Sequence, residues 1–197
     1  AVITLIFVVQ LIRTALARRR ATPLPEGLAI GAVANFFDTL GIGSFAPTTA
    51  YVKLRKLVPD SFLPAILNTG HALPTIVQAF VFINLVRVDP ILLIACIGAA
   101  VAGAALGAPI VVRLPVRFVQ GFVGVALLIA AGLYAMSNLG LAPAGGDALT
   151  LDGPLFIVAI VAHFFMGALM TFGIGLYAPS LILLSLFGLN PTAAFPI

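Results

Sequence analysis

Charged residues are scarce in this chain: of 197 residues, 8% are charged and 62% are hydrophobic, and the mean hydropathy is +1.23. A soluble domain carries about 25% charged and about 45–50% apolar residues. A compact soluble fold of this length has too much surface to cover with so few charges. The composition therefore excludes an ordinary cytosolic enzyme, a disordered chain and a nucleic-acid-binding protein.

Cysteine and tryptophan are almost absent as well. The single cysteine, Cys96, lies in an apolar run and cannot form an internal disulfide, and there is no tryptophan. No His, Cys, Asp or Glu cluster has metal-ligand spacing, and no nucleophile has a base and an orienting carboxylate nearby in the sequence. We therefore expect neither a cofactor nor an enzymatic activity.

Long uncharged runs are what the chain does have. A helix that crosses about 30 Å of hydrocarbon needs about 20 apolar residues, and the runs 61–86, 91–112 and 118–141 meet this. A shorter run, 1–17, contains Arg13 and is interpreted as a truncated span. A cleaved signal peptide is the alternative, but Arg18–Arg20 follow the apolar run instead of preceding it, which favours an anchor. The sequence predicts an all-α polytopic membrane protein whose residues 1–197 form one transmembrane domain, multi-pass in the cell membrane.

Two further apolar segments, 27–52 and 154–188, are interrupted by glycine and proline and resemble each other. Residues 41–47 (GIGSFAP) match 173–179 (GIGLYAP) 132 positions later, whereas 33–37 (VANFF) and 161–165 (VAHFF) are 128 positions apart. The difference of four residues is about one helical turn.

This similarity predicts an internal repeat. Repeat one covers about residues 27–153 and repeat two about 154–197. The second copy stops before its equivalents of three helices, so we expect a complete protein to continue for about three more spans.

The distribution of basic residues predicts the topology. Arg18–Arg20 and the cluster of Lys53, Arg55 and Lys56 both favour the cytoplasmic side. Segment 27–52 lies between them and would enter and leave from the same side, as a re-entrant pair of half-helices. Each repeat would then cross the membrane an odd number of times and the second would be inverted. The alternative is that 27–52 is one full span and the repeats are parallel; the sequence favours inversion.

The glycine and proline residues predict a break in each interrupted segment, since glycine costs about 1 kcal/mol and proline about 3 kcal/mol inside a helix. Unwound backbone within a bilayer is tolerated only beside protein or a wet cavity. The N-terminus of a half-helix there would present N–H groups to an anion. The alternative is that these residues serve helix packing alone.

Polar residues at membrane depth add to the candidate site. Asn68, His71, Thr75 and Gln78 lie on one face of a helix that Pro74 interrupts. They either line a permeation route or bond neighbouring helices. The motif of small residues at 103–107 predicts close helix packing.

Three other polar residues lie within the interrupted segments. Asp38 is the one carboxylate well inside an apolar stretch, and it could carry a coupling proton, pair with His71 or cap a half-helix near the interface. Asn35 and His163 occupy equivalent repeat positions and would bond either a ligand or a neighbouring helix.

At these residues the sequence resembles the sulfite exporter TauE/SafE family of membrane permeases. The likeness rests on residues 35–43 (NFFDTLGIG), 68–71 (NTGH), 106–108 with 114–115, 173–179, and 190–196 (NPTAAFP). It covers nearly the whole chain after residue 25, although many members carry longer glycine runs. The resemblance implies a plasma-membrane protein that moves sulfite, organosulfonates or related sulfur anions.

We therefore expect a secondary transporter of a small anion in a lipid bilayer, with a homo-oligomer as one possible assembly and no nucleic-acid partner. The alternative is an uncoupled membrane channel or a structural membrane subunit. The candidate substrate-binding residues are Asn35, Asp38, Thr39, Gly41, Gly43, Ser44, Thr48, Asn68, His71, His163, Gly173, Gly175, Tyr177 and Ser180.

Overall fold

The computed structural model describes residues 2–18, 25–39, 43–111, 113–141 and 146–197, and these residues are helical apart from turns and one isolated bridge. The expected all-α class is therefore confirmed. The helices within these ranges are α1 (Val2–Ala17), α2 (Pro25–Thr39), α3 (Phe45–Leu54), α4 (Leu63–Gly70), α5 (Ala72–Leu85), α6 (Pro90–Val111), α7 (Val116–Asn138), α8 (Gly153–Met170) and α9 (Tyr177–Leu186).

Three helical stretches among the described residues are long and apolar enough to cross a membrane: Asp60–Leu85, Pro90–Ile110 and Gly153–Met170. The first two coincide with the predicted runs 61–86 and 91–112. The third is α8, the first part of an interrupted segment. Run 118–141 corresponds to helix α7, which is not among these three stretches.

Close packing of α6 against α8 forms the main helix interface. A Cβ added to Gly103 would lie 1.8 Å from the carbonyl oxygen of Phe164, and one added to Gly167 would lie 2.0 Å from that of Ala100. The two backbones therefore approach as closely as glycine allows, which is how membrane helices associate through small residues. The predicted packing role of the 103–107 motif agrees with this contact.

The large side chains of α6 face outward instead. Ile91, Ile94, Val101 and Leu106 are exposed, whereas Leu92 and Cys96 are fully buried. Cys96 belongs to a core that also includes Leu151 and, from the second interrupted segment, Ala159 and Leu184. An apolar exterior around a core of small and medium side chains suits a surrounding of lipid, and it agrees with the membrane location expected from composition.

Polar contacts connect the ends of several helices at one end of the molecule, which we call the basic end. Arg55 Nη2 lies 3.1 Å from Glu26 Oε1, and the Tyr51 hydroxyl donates to the same carboxylate. That hydrogen bond raises the pKa of Tyr51. Lys53 Nζ lies 3.2 Å from Asp60 Oδ2, and the Gln120 amide donates to Asp60. The start of α2, the end of α3 and the starts of α4 and α7 therefore meet here.

Backbone hydrogen bonds connect three helix termini at the other end of the molecule, which we call the opposite end. Asp89 N donates to the Leu149 carbonyl at 3.0 Å, and Asn190 N donates to the Ala148 carbonyl at 2.8 Å. Ala148 and Leu189 also form a parallel bridge. The starts of α6 and α8 and the end of α9 therefore lie together.

Candidate functional site

Each interrupted segment consists of two helices separated by a glycine in the left-handed region. Helix α2 ends at Thr39 and α3 begins at Phe45, with Gly43 at φ +86° between them. Helix α8 ends at Met170 and α9 begins at Tyr177, with Gly173 at φ +87°. An L-residue would be strained at either glycine. Gly41 lies outside the described residues.

The prolines mark the beginning of the second helix in each segment. Pro47 and Pro179 are the third residues of α3 and α9, where a helix does not need an N–H donor. Neither helix has a side-chain cap, although the buried Ser44 precedes α3. Each proline is thus compatible with a new helix that begins directly after the glycine-rich turn.

The two breaks lie next to each other. A Cβ on Gly175 would lie 3.8 Å from Cβ of Phe45, so the starts of α9 and α3 are in contact. A Cβ on Gly173 would lie 3.0 Å from Leu67 Cδ1 of α4. Asn68 of α4 adds a polar link, because its amide nitrogen donates to the carbonyl of Met170 at 3.1 Å.

His71 connects three helices. It lies between α4 and α5, where the missing N–H of Pro74 leaves the Gly70 carbonyl without its helical donor. Its Nε2 is 3.0 Å from Thr48 Oγ1 of α3, and its Nδ1 is 3.2 Å from Asn35 Oδ1 of α2. The imidazole thus joins the helix before the first break to the helix after it.

His163 makes the corresponding connection at the second break. Its Nδ1 is 2.7 Å from the Ala159 carbonyl, and its Nε2 is 2.8 Å from Ser180 Oγ of α9. Asn35 likewise donates to the carbonyl four residues back, that of Gly31, at 2.7 Å. Both repeat-equivalent residues therefore bond their own helix and, directly or through His71, the helix beyond the break.

A cavity of about 370 Å³ lies beside this junction. Asn68, His71 and Thr75 of the predicted polar face line it, whereas Gln78 makes only a 3.5 Å contact to the Asn35 carbonyl. The lining also includes residues that the sequence analysis did not select: Thr4, Phe7, Phe45, Ala72, Ile76 and Met170. Phe45 stood inside the repeated motif, but nothing in the sequence indicated that α1 would contribute Thr4 and Phe7.

Several predicted site residues already have intramolecular partners. Both amide hydrogens of Asn68 have backbone acceptors, since its nitrogen also donates to Pro64 at 2.8 Å. His71 is 5% exposed and His163 is 0% exposed. Thr39 is exposed and bonds the Phe36 carbonyl. Tyr177 packs face to face with Phe195 at 5.7 Å between ring centroids.

Charged groups are sparse around the cavity. None of the described residues that line it is an aspartate, glutamate, lysine or arginine. The half-buried Asp38 is near enough for its charge to act on His71. No group of three or more His, Cys, Asp or Glu side chains within the described ranges is arranged to hold a metal ion.

Comparison with protein-family models, with curated proteins and with solved structures finds no match to this chain.

Proposed function

We propose that the chain is the membrane domain of a secondary transporter that moves a small anion across the cell membrane. One observation carries this proposal: the N-termini of α3 and α9 meet beside a cavity at the point where both interrupted segments unwind. Helix N-termini direct N–H groups and the positive end of the helix dipole toward a bound anion. Two of them at one place favour negative charge without a lysine or arginine.

The endings of α3 and α9 support related repeats. In α3, Leu57 N donates to the Val52 carbonyl and Lys56 lies at φ +51°. In α9, Leu189 N donates to the Leu184 carbonyl and Gly188 lies at φ +83°. These positions are related by the 132-residue offset of the motifs, and both endings are Schellman-type caps.

The closing contacts of the two helix pairs support an inverted arrangement. Glu26 and Arg55 join the outer ends of α2 and α3 at the basic end. Ala148 and Leu189 join the outer ends of α8 and α9 at the opposite end. These contacts support a proposed arrangement in which the two re-entrant pairs open in opposite directions, as in transporters built from inverted repeats with broken helices at the substrate site.

Sulfite or an organosulfonate is the substrate class that we propose, because of the resemblance to TauE/SafE permeases. The lining agrees with an anion that carries an apolar part, since Phe7, Phe45 and Ile76 face the same cavity as Thr75 and His71. Because the Asn68 amide hydrogens are already bonded, backbone N–H groups and threonine hydroxyls would hold the anionic group.

The test is the flux of sulfite and methanesulfonate into proteoliposomes that contain the whole protein. We expect saturable uptake that follows the imposed gradient. Gly175→Leu should abolish it, because the new side chain would fill the space between the starts of α9 and α3. The control is Gly98→Leu, since a Cβ at Gly98 meets nothing within 4 Å.

Non-saturating flux would favour the channel alternative, and no flux would favour a structural subunit. Equal uptake by the two leucine variants would show that the junction is not the binding site. Insertion of both variants is checked by their yield in the membrane fraction.

A further inference from the structure

We infer that His71 is a proton-binding site of the transport cycle and that one proton crosses the membrane together with each monovalent anion. This inference rests on the proposed function and adds the coupling ion to it. It follows from the position of His71 on the cavity wall, from the hydrogen bonds at both ring nitrogens, and from the absence of any fixed positive charge among the described lining residues.

The bonding pattern fixes which nitrogen is available for a proton. The Asn35 amide nitrogen donates to the Gly31 carbonyl, so its Oδ1 is the atom that faces His71. An amide oxygen can only accept, and therefore Nδ1 of His71 carries the hydrogen. In the neutral ring Nε2 must accept, and Thr48 Oγ1 is its donor.

When Nε2 takes up a proton, His71 keeps its hydrogen bonds to both partners, Thr48 and Asn35. The incoming proton bonds the Nε2 lone pair, and the Thr48 oxygen accepts from the new N–H instead of donating to the nitrogen. The Thr48 hydroxyl hydrogen then turns away, and the Ser44 carbonyl, which accepts from Thr48 N at 3.3 Å, lies one turn back on the same helix. The ring becomes an imidazolium that stays hydrogen-bonded at both nitrogens.

The charge balance of the cavity explains why the anion would need this proton. An anion leaving water for a low-dielectric cavity loses several kcal/mol of solvation unless an opposite charge is present. Helix N-termini offer partial charges only. His71 is the one lining residue among those described whose side chain can acquire a full positive charge by binding a proton.

Apart from Asp38, the groups packed around His71 do not titrate. From α2, Asp38 contributes the negative charge that acts on the ring. The α1 and α8 residues at the cavity, Thr4, Phe7 and Met170, do not titrate, and neither do Phe45 and Thr48 of α3. Tyr51 of α3 is engaged with Glu26 at the basic end.

The experiment uses proteoliposomes of the whole protein with a pH-sensitive dye inside and the membrane potential held at zero by potassium and valinomycin. Methanesulfonate is the probe, because it remains a monoanion from acidic to neutral pH, whereas sulfite itself binds protons there. We expect methanesulfonate entry to acidify the lumen with one proton per anion. We expect the initial rate to fall as the pH rises, because fewer His71 side chains then hold the proton.

His71→Gln keeps a neutral polar side chain at this position and should uncouple transport. Any remaining methanesulfonate uptake should bring no protons, and its rate should no longer depend on pH. His163→Gln is the matched variant, because His163 is equally buried but bonds Ser180 away from the cavity. Whatever rate that variant keeps should still carry one proton per anion.

Wild-type uptake of methanesulfonate without acidification overturns this inference and leaves the proposed function intact. The same holds if acidification persists in His71→Gln, or if His163→Gln still takes up methanesulfonate but without protons. Absence of any saturable anion flux in the wild-type protein would instead overturn the proposed function. If His71→Gln does not fold, the wild-type measurement still decides whether a proton crosses with the anion, and its absence overturns the inference.

Discussion

At the scale of single residues, polar side chains in the apolar segments bond the backbone of their own helix first. Asn35, Asn68 and His163 each bond the carbonyl four residues earlier. One hydrogen-bonding group of each side chain is thus bonded within its own helix, and another remains for a partner on a different helix. A bilayer supplies no water to satisfy such groups, so each of these side chains needs both bonds.

Ser180 and Ser185 allow a direct test of what such a bond contributes. Ser180 Oγ is the partner of the fully buried His163 Nε2, whereas Ser185 Oγ is buried without a hydrogen-bond partner in the described structure. Ser180→Ala should lower the free energy of unfolding by about 1–3 kcal/mol, the cost of a buried acceptor left unsatisfied. Ser185→Ala should be neutral or slightly stabilising, because no bond is lost.

The chain contains its own reporter for this measurement. Cys96 is its single cysteine and is fully buried, so a thiol-reactive fluorogenic dye labels it as the protein unfolds on heating. Equal melting temperatures for the two alanine variants would contradict the assigned role of the Ser180 bond.

Sequence spacing could predict part of this residue-level arrangement. The intervals between Asn68, His71 and Thr75 put them on one helix face, and all three line the cavity. The repeat alignment paired Asn35 with His163, which make the same bond to their own helices. Their second partners could not be predicted, because these depend on how α3 and α9 fold back after the breaks.

At the scale of helices, the α6–α8 interface depends on small residues more than on apolar area. The sequence indicated one half of it, since the 103–107 motif predicts a close approach to some helix. It could not identify α8 as the partner, because nothing in the sequence links Gly167 to the 103–107 motif. Only the fold shows that Gly103 faces Phe164 and Gly167 faces Ala100.

Gly103→Val should disrupt this interface. Its Cβ would overlap the Phe164 carbonyl, an atom of backbone that cannot move without separating the helices. We expect a loss of about 1–3 kcal/mol or more, which is the cost of overpacking. Gly98→Val, on the same helix but facing open space, should change stability little. The same Cys96 labelling assay compares the two, and similar melting temperatures would show that α6 and α8 are not in contact through Gly103.

At the scale of the whole molecule, the charge pattern predicts on which side of the membrane each segment begins and ends. The basic clusters at 18–20 and 53–56 predicted that segment 27–52 returns to the side from which it enters. The Glu26–Arg55 contact brings together residues that flank that segment, and it supports the proposed re-entrant arrangement. An exposed ion pair contributes only about 0–1 kcal/mol to the free energy of unfolding. The Glu26–Arg55 pair therefore indicates where the two helix ends lie more than it stabilises the fold.

Inverted and parallel repeats differ in where the two re-entrant pairs end. Lys56 follows the first pair and Thr192 follows the second, and both are exposed. Parallel repeats place them on the same side of the membrane and inverted repeats on opposite sides. Lys56→Cys and Thr192→Cys therefore give the test, with the buried Cys96 contributing little background. In intact cells a membrane-impermeant maleimide should label Thr192→Cys at once and Lys56→Cys only after permeabilisation. Labelling of both from one side would require parallel repeats, and the anion site would then lose the opposed helix pairs on which it depends.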